Sequence, residues 1–326
     1  MQRILLVDDE QNVLSALRRE LAGTYEVETF ISPLEALQRA QETEFALVVA
    51  DYRMPDMDGV TFLENFGQQQ PDAVRLILSG QADMDVLIKA INITHIYHFM
   101  AKPWNKADLE SHIQRGLDYR EAILENRCFA AAYRQRFCTP PQDQERKLYR
   151  VLLVSPDENA VTSIWRELTH HSAYEGLYGA MRYEMTHRPT YGGHDFQFLV
   201  DSFSSPVEAL ACLANKGYDL VIADFSMAEM NGVAFFDKLR QAGADNACIL
   251  LGEGLDMPTL ALAINQAHID GFLKRMWNGY ELKFVVMRAL RYRDLLLENR
   301  TLADLLREQA GRERNPGDGE DGRNDR

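Results

Sequence analysis

The chain has 326 residues, of which 46% are hydrophobic and 26% are charged, and this composition excludes a mostly disordered protein. The length predicts about two domains of roughly 150 residues each. Lysine and arginine number 35 and aspartate and glutamate 49, which gives a formal net charge of −14 at pH 7. This acidic surplus argues against a general nucleic-acid-binding protein, because phosphate contacts need clustered lysine and arginine.

The N-terminus has only four apolar residues before Asp8, which is too short for the core of a signal peptide. No apolar stretch approaches the roughly 18 residues that a membrane-spanning helix needs. The four cysteines, Cys128, Cys138, Cys212 and Cys248, lack the spacing of metal or redox motifs. We therefore expect a cytoplasmic protein with reduced thiols and no membrane segment.

An internal repeat organises the chain. Residues 27–127 align without a gap on residues 200–300 at a shift of 173 positions, so that SPLEAL at 32–37 matches SPVEAL at 205–210. The first apolar runs of the two copies align at a shift of 147 instead. The second copy therefore carries an insertion of about 26 residues, around 170–196.

Short apolar runs alternate with amphipathic stretches in both copies. In the first copy the runs are Ile4–Val7, Glu26–Phe30, Phe45–Ala50, Arg75–Leu78 and Ile96–Met100. Strands that alternate with helices predict parallel pairing through right-handed crossovers. The fold class that we expect is therefore α/β, with a doubly wound parallel sheet in each copy.

Polar residues follow four of these predicted strands. Asp8 and Asp9 follow the first strand, Asp51 the third, Ser79 the fourth and Lys102 the fifth. Doubly wound sheets bind ligands beyond the carboxyl ends of their strands, so these residues should converge. Clustered carboxylates need a cation, and oxygen ligands suit Mg²⁺. A carboxylate beside Mg²⁺ and a lysine can accept a phosphoryl group, to which a serine hydroxyl could hydrogen-bond.

Four motifs in the first copy resemble, in order and spacing, the receiver domain of two-component response regulators. They are VDDE at 7–10, ADYRMPDMDG at 50–59, LSG at 78–80 and FMAKPW at 99–104. The resemblance implies two flavodoxin-like (βα)5 receiver domains of the CheY type. It also implies a sensor histidine kinase or a histidine phosphotransfer protein as phosphoryl donor, and no enzymatic activity beyond phosphoryl transfer and dephosphorylation.

The resemblance also implies the metal site. Asp51 is the expected phospho-acceptor, and Asp9, Asp51 and the backbone carbonyl of Arg53 are the expected direct ligands of Mg²⁺, with Asp8 acting through water. The side chains of Arg53 and Gln81 occupy the positions that tune dephosphorylation in the family.

By the same resemblance, Lys102 pairs with the phosphoryl group, and the Lys102–Pro103 peptide bond is cis. Ser79 and Phe99 are the expected switch residues. An aromatic residue on a strand can equally be an ordinary core residue, so both interpretations of Phe99 stay open.

The second copy keeps Asp224 at the acceptor position but departs from the pattern elsewhere. Ser155 and Pro156 stand in place of the two carboxylates, Gly252 in place of the serine and Arg275 in place of the lysine. Arginine does not substitute for lysine at a compact phosphoryl site. We expect a degenerate pseudo-receiver, with phosphorylation of Asp224 as the alternative.

The insertion in the second copy is rich in aromatic and imidazole side chains. It holds His170, His171, His187 and His194 together with four tyrosines, without a compact metal-ligand spacing. We expect an extended loop or a partner-binding surface, and a metal site is the alternative.

The last helix of each copy continues with an apolar 3-4 spacing, and an asparagine in such a seam can fix its register. The seam positions are Tyr119, Ala122, Asn126, Phe129 and Tyr133 in the first copy, and Tyr292, Leu295, Asn299, Leu302 and Leu306 in the second. We expect a signalling helix or a homodimer contact rather than a solvated extension.

The expected organisation is a receiver at 1–120, a helical extension and linker at 121–149, a degenerate receiver at 150–293, a C-terminal helix at 294–309 and a disordered tail at 310–326. So few residues follow position 300 that we expect neither a DNA-binding domain nor an enzymatic output. Output would then be contact with a downstream protein of unknown identity.

The expected function is a response regulator that signals by protein–protein contact once Asp51 is phosphorylated, with the second receiver as adaptor or dimerisation module. One alternative is a phosphorelay intermediate or phosphate sink. The other is the regulatory part of a longer regulator with an enzymatic output.

Overall fold

The computed structural model describes residues 1–80, 84–137, 148–169 and 197–314. It contains two α/β domains, each with a five-stranded sheet whose strands all pair in parallel. The predicted fold class is thus confirmed for both copies.

The first domain follows the predicted alternation of strands and helices. Its strands are β1 (Arg3–Val7), β2 (Glu26–Phe30), β3 (Leu47–Asp51), β4 (Val74–Ser79) and β5 (His98–Ala101). Its helices are α1 (Gln11–Leu21), α2 (Pro33–Glu42), α3 (Gly59–Gln69), α4 (Met84–Lys89), which continues as a π-helical turn (Ala90–Thr94), and α5 (Lys106–Phe137).

The second domain repeats this order. Its strands are β6 (Leu148–Val154), β7 (Gln197–Phe203), β8 (Leu220–Asp224), β9 (Ala247–Gly252) and β10 (Gly271–Lys274). Its described helices are α6 (Glu158–Thr169), α7 (Pro206–Leu213), α8 (Gly232–Gln241), α9 (Met257–Asn265) and α10 (Gly279–Arg314).

The strand order positions the functional edge of each sheet. It is β2-β1-β3-β4-β5 in the first domain and β7-β6-β8-β9-β10 in the second. The central strands β3 and β8 are buried along their whole length, as expected for parallel strands covered by helices on both faces. The carboxyl ends of the strands therefore lie side by side at one edge of each sheet, where such folds bind ligands.

The repeated SPLEAL and SPVEAL segments start equivalent helices. Ser32 and Ser205 each accept a hydrogen bond from the backbone N–H of the glutamate three residues later. A proline occupies the first helical position, where its missing N–H costs nothing. This part of the repeat therefore encodes a helix start rather than a functional site.

The long helices α5 and α10 pack against each other and join the two domains. Tyr119 meets its equivalent Tyr292, with 3.0 Å between the hydroxyl oxygens. Arg134 contacts Glu298 and Arg307 contacts Asn126, and all four residues lie beyond the tyrosines in the chain. The two helices therefore run in the same direction from the tyrosine contact. The two predicted seams thus pair with one another within the chain, a partner that the sequence analysis did not consider.

The burial of the residues along the two helices corrects two of the predicted seam positions. Ala122 and Leu295 are exposed, whereas Ala130 and Ala303 are completely buried. Two helices that stay in contact use alternating steps of four and three residues, and Ala130 lies four residues beyond Asn126 in that pattern. Each of the two alanines follows a larger apolar residue, Phe129 or Leu302, which the apolar spacing of the sequence selects instead.

Several expectations fall on residues outside the described ranges. These are the linker at 138–147 with Cys138, the insertion with its four histidines, and Gln81. Helix α10 continues to Arg314, into the segment that was predicted to be a tail, and the rest of that segment lies outside the described residues.

The three described cysteines are free thiols. Among the described residues, no helix combines the length and the apolar character needed to cross a bilayer.

Candidate functional site

Four predicted site residues meet at the carboxyl edge of the first sheet. Asp8 directly follows β1, Asp51 ends β3, Ser79 ends β4 and Lys102 directly follows β5. Asp8, Asp51 and Ser79 are buried, and the Lys102 side chain is only 15% exposed. The parallel sheet therefore collects polar groups from four separate segments at a largely desolvated point.

Lys102 is the centre of this cluster. Its Nζ lies 2.6 Å from Asp8 Oδ2 and 2.6 Å from Asp51 Oδ1, so one ammonium bridges two buried carboxylates. Burial lowers the pKa of the Lys102 ammonium, but the hydrogen bonds to Asp51 and Asp8 outweigh burial and raise this pKa above its ordinary value. The lysine is therefore a fixed positive charge at the site.

Asp8 has the opposite balance. Burial raises the pKa of its carboxyl group above the ordinary value, although the hydrogen bonds to Lys102 and to the Glu10 backbone N–H lower it. A buried carboxylate of this kind gains stability from any additional cation. The site therefore favours positive charge beyond that of Lys102.

Backbone contacts fix Asp51 in place. The Arg53 N–H donates to Asp51 Oδ2 over 2.6 Å. A Cβ atom on Gly59 would lie 2.2 Å from the carbonyl oxygen of Asp51, so only glycine lets the start of α3 pack this closely. The same relation exists between Gly232 and Asp224 in the second domain. The glycine of the repeated motif thus serves the position of the aspartate in both copies.

The described oxygen ligands fit a magnesium ion. Asp8 and Asp51 are adjacent through Lys102, whereas the Asp9 side chain is exposed. Among the described residues, no group of three or more acidic, histidine or cysteine side chains is close enough to hold a metal ion. Mg²⁺ typically takes one or two protein carboxylates and keeps several waters, and the pair of aspartates matches that ligand set.

The two predicted switch residues are both buried, with Ser79 4% and Phe99 5% exposed. Ser79 pairs with Ala101 in the sheet, and its carbonyl accepts from the backbone N–H of Lys102 over 2.8 Å. The Lys102–Pro103 peptide bond is cis, as predicted. Lys102 therefore contacts Ser79 through its backbone and Asp51 through its side chain.

The corresponding edge of the second sheet is closed by an ion pair. Arg275 Nη2 lies 2.8 Å from Oδ2 of Asp224, whose side chain is fully buried, and Nη1 lies 3.2 Å from Asp157 Oδ2. Ser155 Oγ also donates to Asp224 Oδ2 over 3.1 Å. Asp224 is thus bound by a guanidinium and a hydroxyl. In the first domain, Asp51 is bound by a lysine that also contacts the carboxylate of Asp8.

Sequence reasoning identified Asp224 and Arg275 but missed the part played by Asp157. Asp157 lies two residues beyond the position of the first lost carboxylate, and this spacing alone does not show that it reaches Arg275. Gly252 occupies the serine position, and a Cβ atom there would lie 2.7 Å from Leu255 Cδ1 and 3.1 Å from Phe225 Cβ. Apolar side chains therefore crowd the space that a switch serine would need.

A family model described as the response regulator receiver domain matches residues 4–114 and 193–286, which is more than half of the chain. This chain belongs to the response regulator receiver domain family. It is a two-component response regulator with two receiver domains. The second match starts beyond β6, so the strand that ends next to Ser155 lies outside it.

Curated relatives carry names of transcriptional regulators. The chain is 31% identical over 140 residues to the hydrogenase transcriptional regulatory protein HoxA of Cupriavidus necator, a match that covers 41% of this chain and 29% of that protein. It is 31% identical over 121 residues to the transcriptional regulatory protein PrrA of Mycobacterium leprae, covering 37% of this chain and 52% of that protein. The chain thus spans about a quarter to a half of the length of the curated relatives that it matches.

Solved structures of single receiver domains are also similar to this chain. One is the signal receiver domain of an HD domain-containing protein from Pseudomonas fluorescens, with 32% identity, a TM-score of 0.37, and coverage of 37% of this chain and 98% of that one. Another is a CheY-like receiver domain protein from Methanospirillum hungatei, with 29% identity, a TM-score of 0.36, and coverage of 37% and 98%.

Proposed function

We infer that the first receiver accepts a phosphoryl group on Asp51 from a sensor histidine kinase or a histidine phosphotransfer protein. The observation that carries this proposal is the bridge of Lys102 Nζ between Asp8 and Asp51, 2.6 Å from each. The family match supports the donor class. The proposal includes a cytoplasmic location, because the protein must encounter such a donor there.

The transfer is an in-line displacement at phosphorus. One carboxylate oxygen of Asp51 forms the new P–O bond while the P–N bond to the donor histidine breaks, and the imidazole leaves. Lys102 stabilises the negative charge on the transferred oxygens, since its ammonium already contacts Asp51. The Ser79 hydroxyl is available at the end of the neighbouring strand to hydrogen-bond to the new phosphoryl group.

The exposed Asp9, Asp51 and the backbone carbonyl of Arg53 would hold Mg²⁺ directly, and Asp8 would act through water. When bound, the ion would neutralise phosphoryl charge during transfer. Asp8 contributes through its buried carboxylate, which Lys102 shares. This ligand assignment for the ion rests on the family resemblance, and the buried pair of aspartates supports it.

The second receiver is a pseudo-receiver in this proposal. The Arg275 guanidinium already neutralises Asp224, and the crowded surroundings of Gly252 leave little room for a phosphoryl-binding hydroxyl. Asp224 therefore lacks the second buried carboxylate and the serine that surround Asp51. Its domain would act as an adaptor that contacts other surfaces.

Phosphotransfer to site variants of the full chain tests this function. Wild type and Asp224→Ala should take up label from acetyl phosphate or a phosphorylated donor, and Asp51→Ala should not. Label on Asp224 in the Asp51→Ala chain would contradict the pseudo-receiver, and an unlabelled wild type would contradict the assignment of Asp51.

The names of the curated relatives favour transcription as a second candidate for the output. In that case the two receivers would regulate an activity that affects gene expression, either directly or through a partner. Transcript profiling of cells that carry Asp51→Ala tests this candidate, since unchanged transcript levels under a stimulus that phosphorylates the wild type would exclude it.

A further inference from the structure

Strand β5 is the edge strand of the first sheet, and its open edge faces the second receiver. Because β5 pairs only with β4, its outward backbone groups need other partners. The side chain of Asn265, at the end of α9, supplies them. Its Oδ1 accepts from the Phe99 N–H over 3.0 Å, and its Nδ2 donates to the Phe99 carbonyl over 2.8 Å. One amide thus binds the edge strand in the way that a neighbouring strand would.

The first receiver makes the reciprocal contact to the second receiver with the equivalent residues. Asn92 Oδ1 accepts from the Phe272 N–H over 2.8 Å, and its Nδ2 donates to the Phe272 carbonyl over 2.7 Å. Asn92 and Asn265 are 173 positions apart in the sequence, and so are Phe99 and Phe272. The two receivers therefore form a pseudo-symmetric pair in which each clamps the edge strand of the other.

The contact surface continues from the sheet edges to the helices. The His95 ring stacks on Tyr292 at 4.7 Å between centroids and accepts a hydrogen bond from Arg288 over 3.0 Å. Beyond it, Arg134 contacts Glu298 across the two long helices. The face of the first receiver formed by α4, β5 and α5 is thus covered by the second receiver of the same chain.

Phe99 is connected to the phosphorylation site through the backbone. It lies on β5, three residues before Lys102, which directly follows the strand and whose backbone N–H donates to the Ser79 carbonyl. A phosphoryl group on Asp51 would compete with Asp8 for the Lys102 ammonium, which now bridges both carboxylates. Any resulting movement of Lys102 acts on the end of the strand that Asn265 holds.

The two clamps differ in what lies behind them. Behind Phe272 the acceptor aspartate is already bound by Arg275, so its strand has no charge change to respond to. Behind Phe99 the charge at Asp51 would change with phosphorylation. The second receiver is therefore suited to be a fixed surface against which the first receiver moves.

We propose that Asn265 couples the phosphorylation site of the first receiver to the receiver–receiver contact. Its two hydrogen bonds to Phe99 stabilise β5 in the position in which Lys102 bridges Asp8 and Asp51, and phosphorylation of Asp51 weakens them. This inference rests on the proposed phosphorylation of Asp51. Because coupling between two sites is reciprocal, weakening the clamp must strengthen binding of a phosphoryl group by the same factor.

Titration of the full chain with beryllofluoride and Mg²⁺ tests the coupling, because beryllofluoride mimics a phosphoryl group on an aspartate. Asn265→Ala should tighten the apparent affinity about fivefold or more, at the lower end of measured coupling factors. Asn92→Ala is the matched control, since it removes the same chemistry from the same contact but leaves Phe99 clamped. It should change the affinity less than about twofold.

The outcomes separate the two proposals. Wild type that binds no beryllofluoride contradicts phosphorylation of Asp51 and removes the switch on which the coupling rests. Wild type that binds, together with an unchanged or weaker affinity in Asn265→Ala, contradicts the coupling alone, as does an equal effect of Asn92→Ala. If Asn265→Ala does not fold, Asn265→Asp keeps the size and the acceptor but loses the donor to the Phe99 carbonyl, and it should shift the affinity in the same direction.

Discussion

The two receivers place an aspartate at the same point of the same fold but surround it differently. In the first receiver Asp51 shares the Lys102 ammonium with a second buried carboxylate, Asp8. In the second, Asp224 is bound by the Arg275 guanidinium and by the Ser155 hydroxyl. In both sites one cation contacts two carboxylates, but both carboxylates are buried in the first site, whereas Asp157 in the second is partly exposed. The two buried carboxylates of the first site have the greater need for a metal ion.

This difference shows that a duplicated domain can keep its fold while the residues at the edge of its sheet change. The strands, the helix starts and the glycine beside the acceptor are kept in both copies, because packing requires them. The replaced residues cluster at the carboxyl edge of the second sheet, and a replacement there changes charge rather than packing. The edge strands remain clamped to one another in both directions.

The contrast between the two receivers would fail most clearly if Asp224 took up a phosphoryl group. Replacing the nucleophile in Asp51→Ala should lower phosphoryl incorporation roughly a hundredfold or more, whereas Asp224→Ala should leave it unchanged. Phosphate-affinity electrophoresis after exposure to acetyl phosphate measures both. Equal losses in the two variants would show two working sites.

Exchanging the cations sharpens the comparison. Lys102→Arg places a broad guanidinium in the compact first site and should weaken beryllofluoride binding about tenfold. The reciprocal change Arg275→Lys should create no binding at Asp224, because the second carboxylate and the serine are still missing. Titration followed by tryptophan fluorescence compares the two, and binding gained in Arg275→Lys would mean that the arginine alone closes the second site.

The built-in cation should also matter for stability in the second receiver. Arg275→Ala leaves the carboxylate of Asp224 buried without its partner and should lower the free energy of unfolding by about 2 kcal/mol, below the range for fully buried pairs because the arginine is partly exposed. Urea unfolding measures this change. The double variant Arg275→Ala with Asp224→Asn removes the charge as well and should recover part of the loss. No recovery would mean that the arginine stabilises the domain by packing alone.

A smaller effect is the pH dependence of stability, to which His95 and His98 should contribute. Both histidines lie in the first receiver near its contact with the second. Burial is the main reason that the pKa of each ring is lowered to about 3. The positive charge of Arg288 lowers the pKa of His95 further, and His112 does the same for His98. The unfolded chain binds protons near pH 6.5, so stability is full above that pH and falls as the pH drops from about 6.5 towards 3.

At pH 5.5 the loss should be about 1 kcal/mol for each histidine. Urea unfolding at pH 7.5 and pH 5.5 measures it, and His95→Gln should reduce the difference between the two values. A difference that is the same in His95→Gln and wild type would show that this ring is not the group that titrates.

Much of this architecture was predictable from local patterns. Alternating apolar runs and helical spacing gave the five strands of the first domain, and the strand ends marked Asp8, Asp51, Ser79 and Lys102 as neighbours, since parallel strands end at one edge of a sheet. The shift of 173 positions gave the second domain. The cis bond before Pro103 followed from the resemblance, and the structure confirms it.

Other features depended on contacts between distant residues. The exposed position of Asp9 and the ion pair of Arg275 with Asp157 depend on how loops return to the sheet edge, and their spacing in the sequence does not encode this. Ala130 and Ala303 were missed in the helix seam because the larger neighbours Phe129 and Leu302 fit the apolar spacing, whereas the packed helices bury the alanines.

The sequence by itself determined two copies of one parallel fold, a cluster of polar strand ends in the first and a different charge pattern at the same positions of the second. These features follow from local periodicity and from the rule that parallel strands share one edge. Only the tertiary structure decided that the two copies face each other and that Asn92 and Asn265 hold each other's edge strands. An asparagine at the end of a helix looks the same in a sequence whether it faces water or a strand 166 residues away, because its partners here are backbone groups that every residue carries.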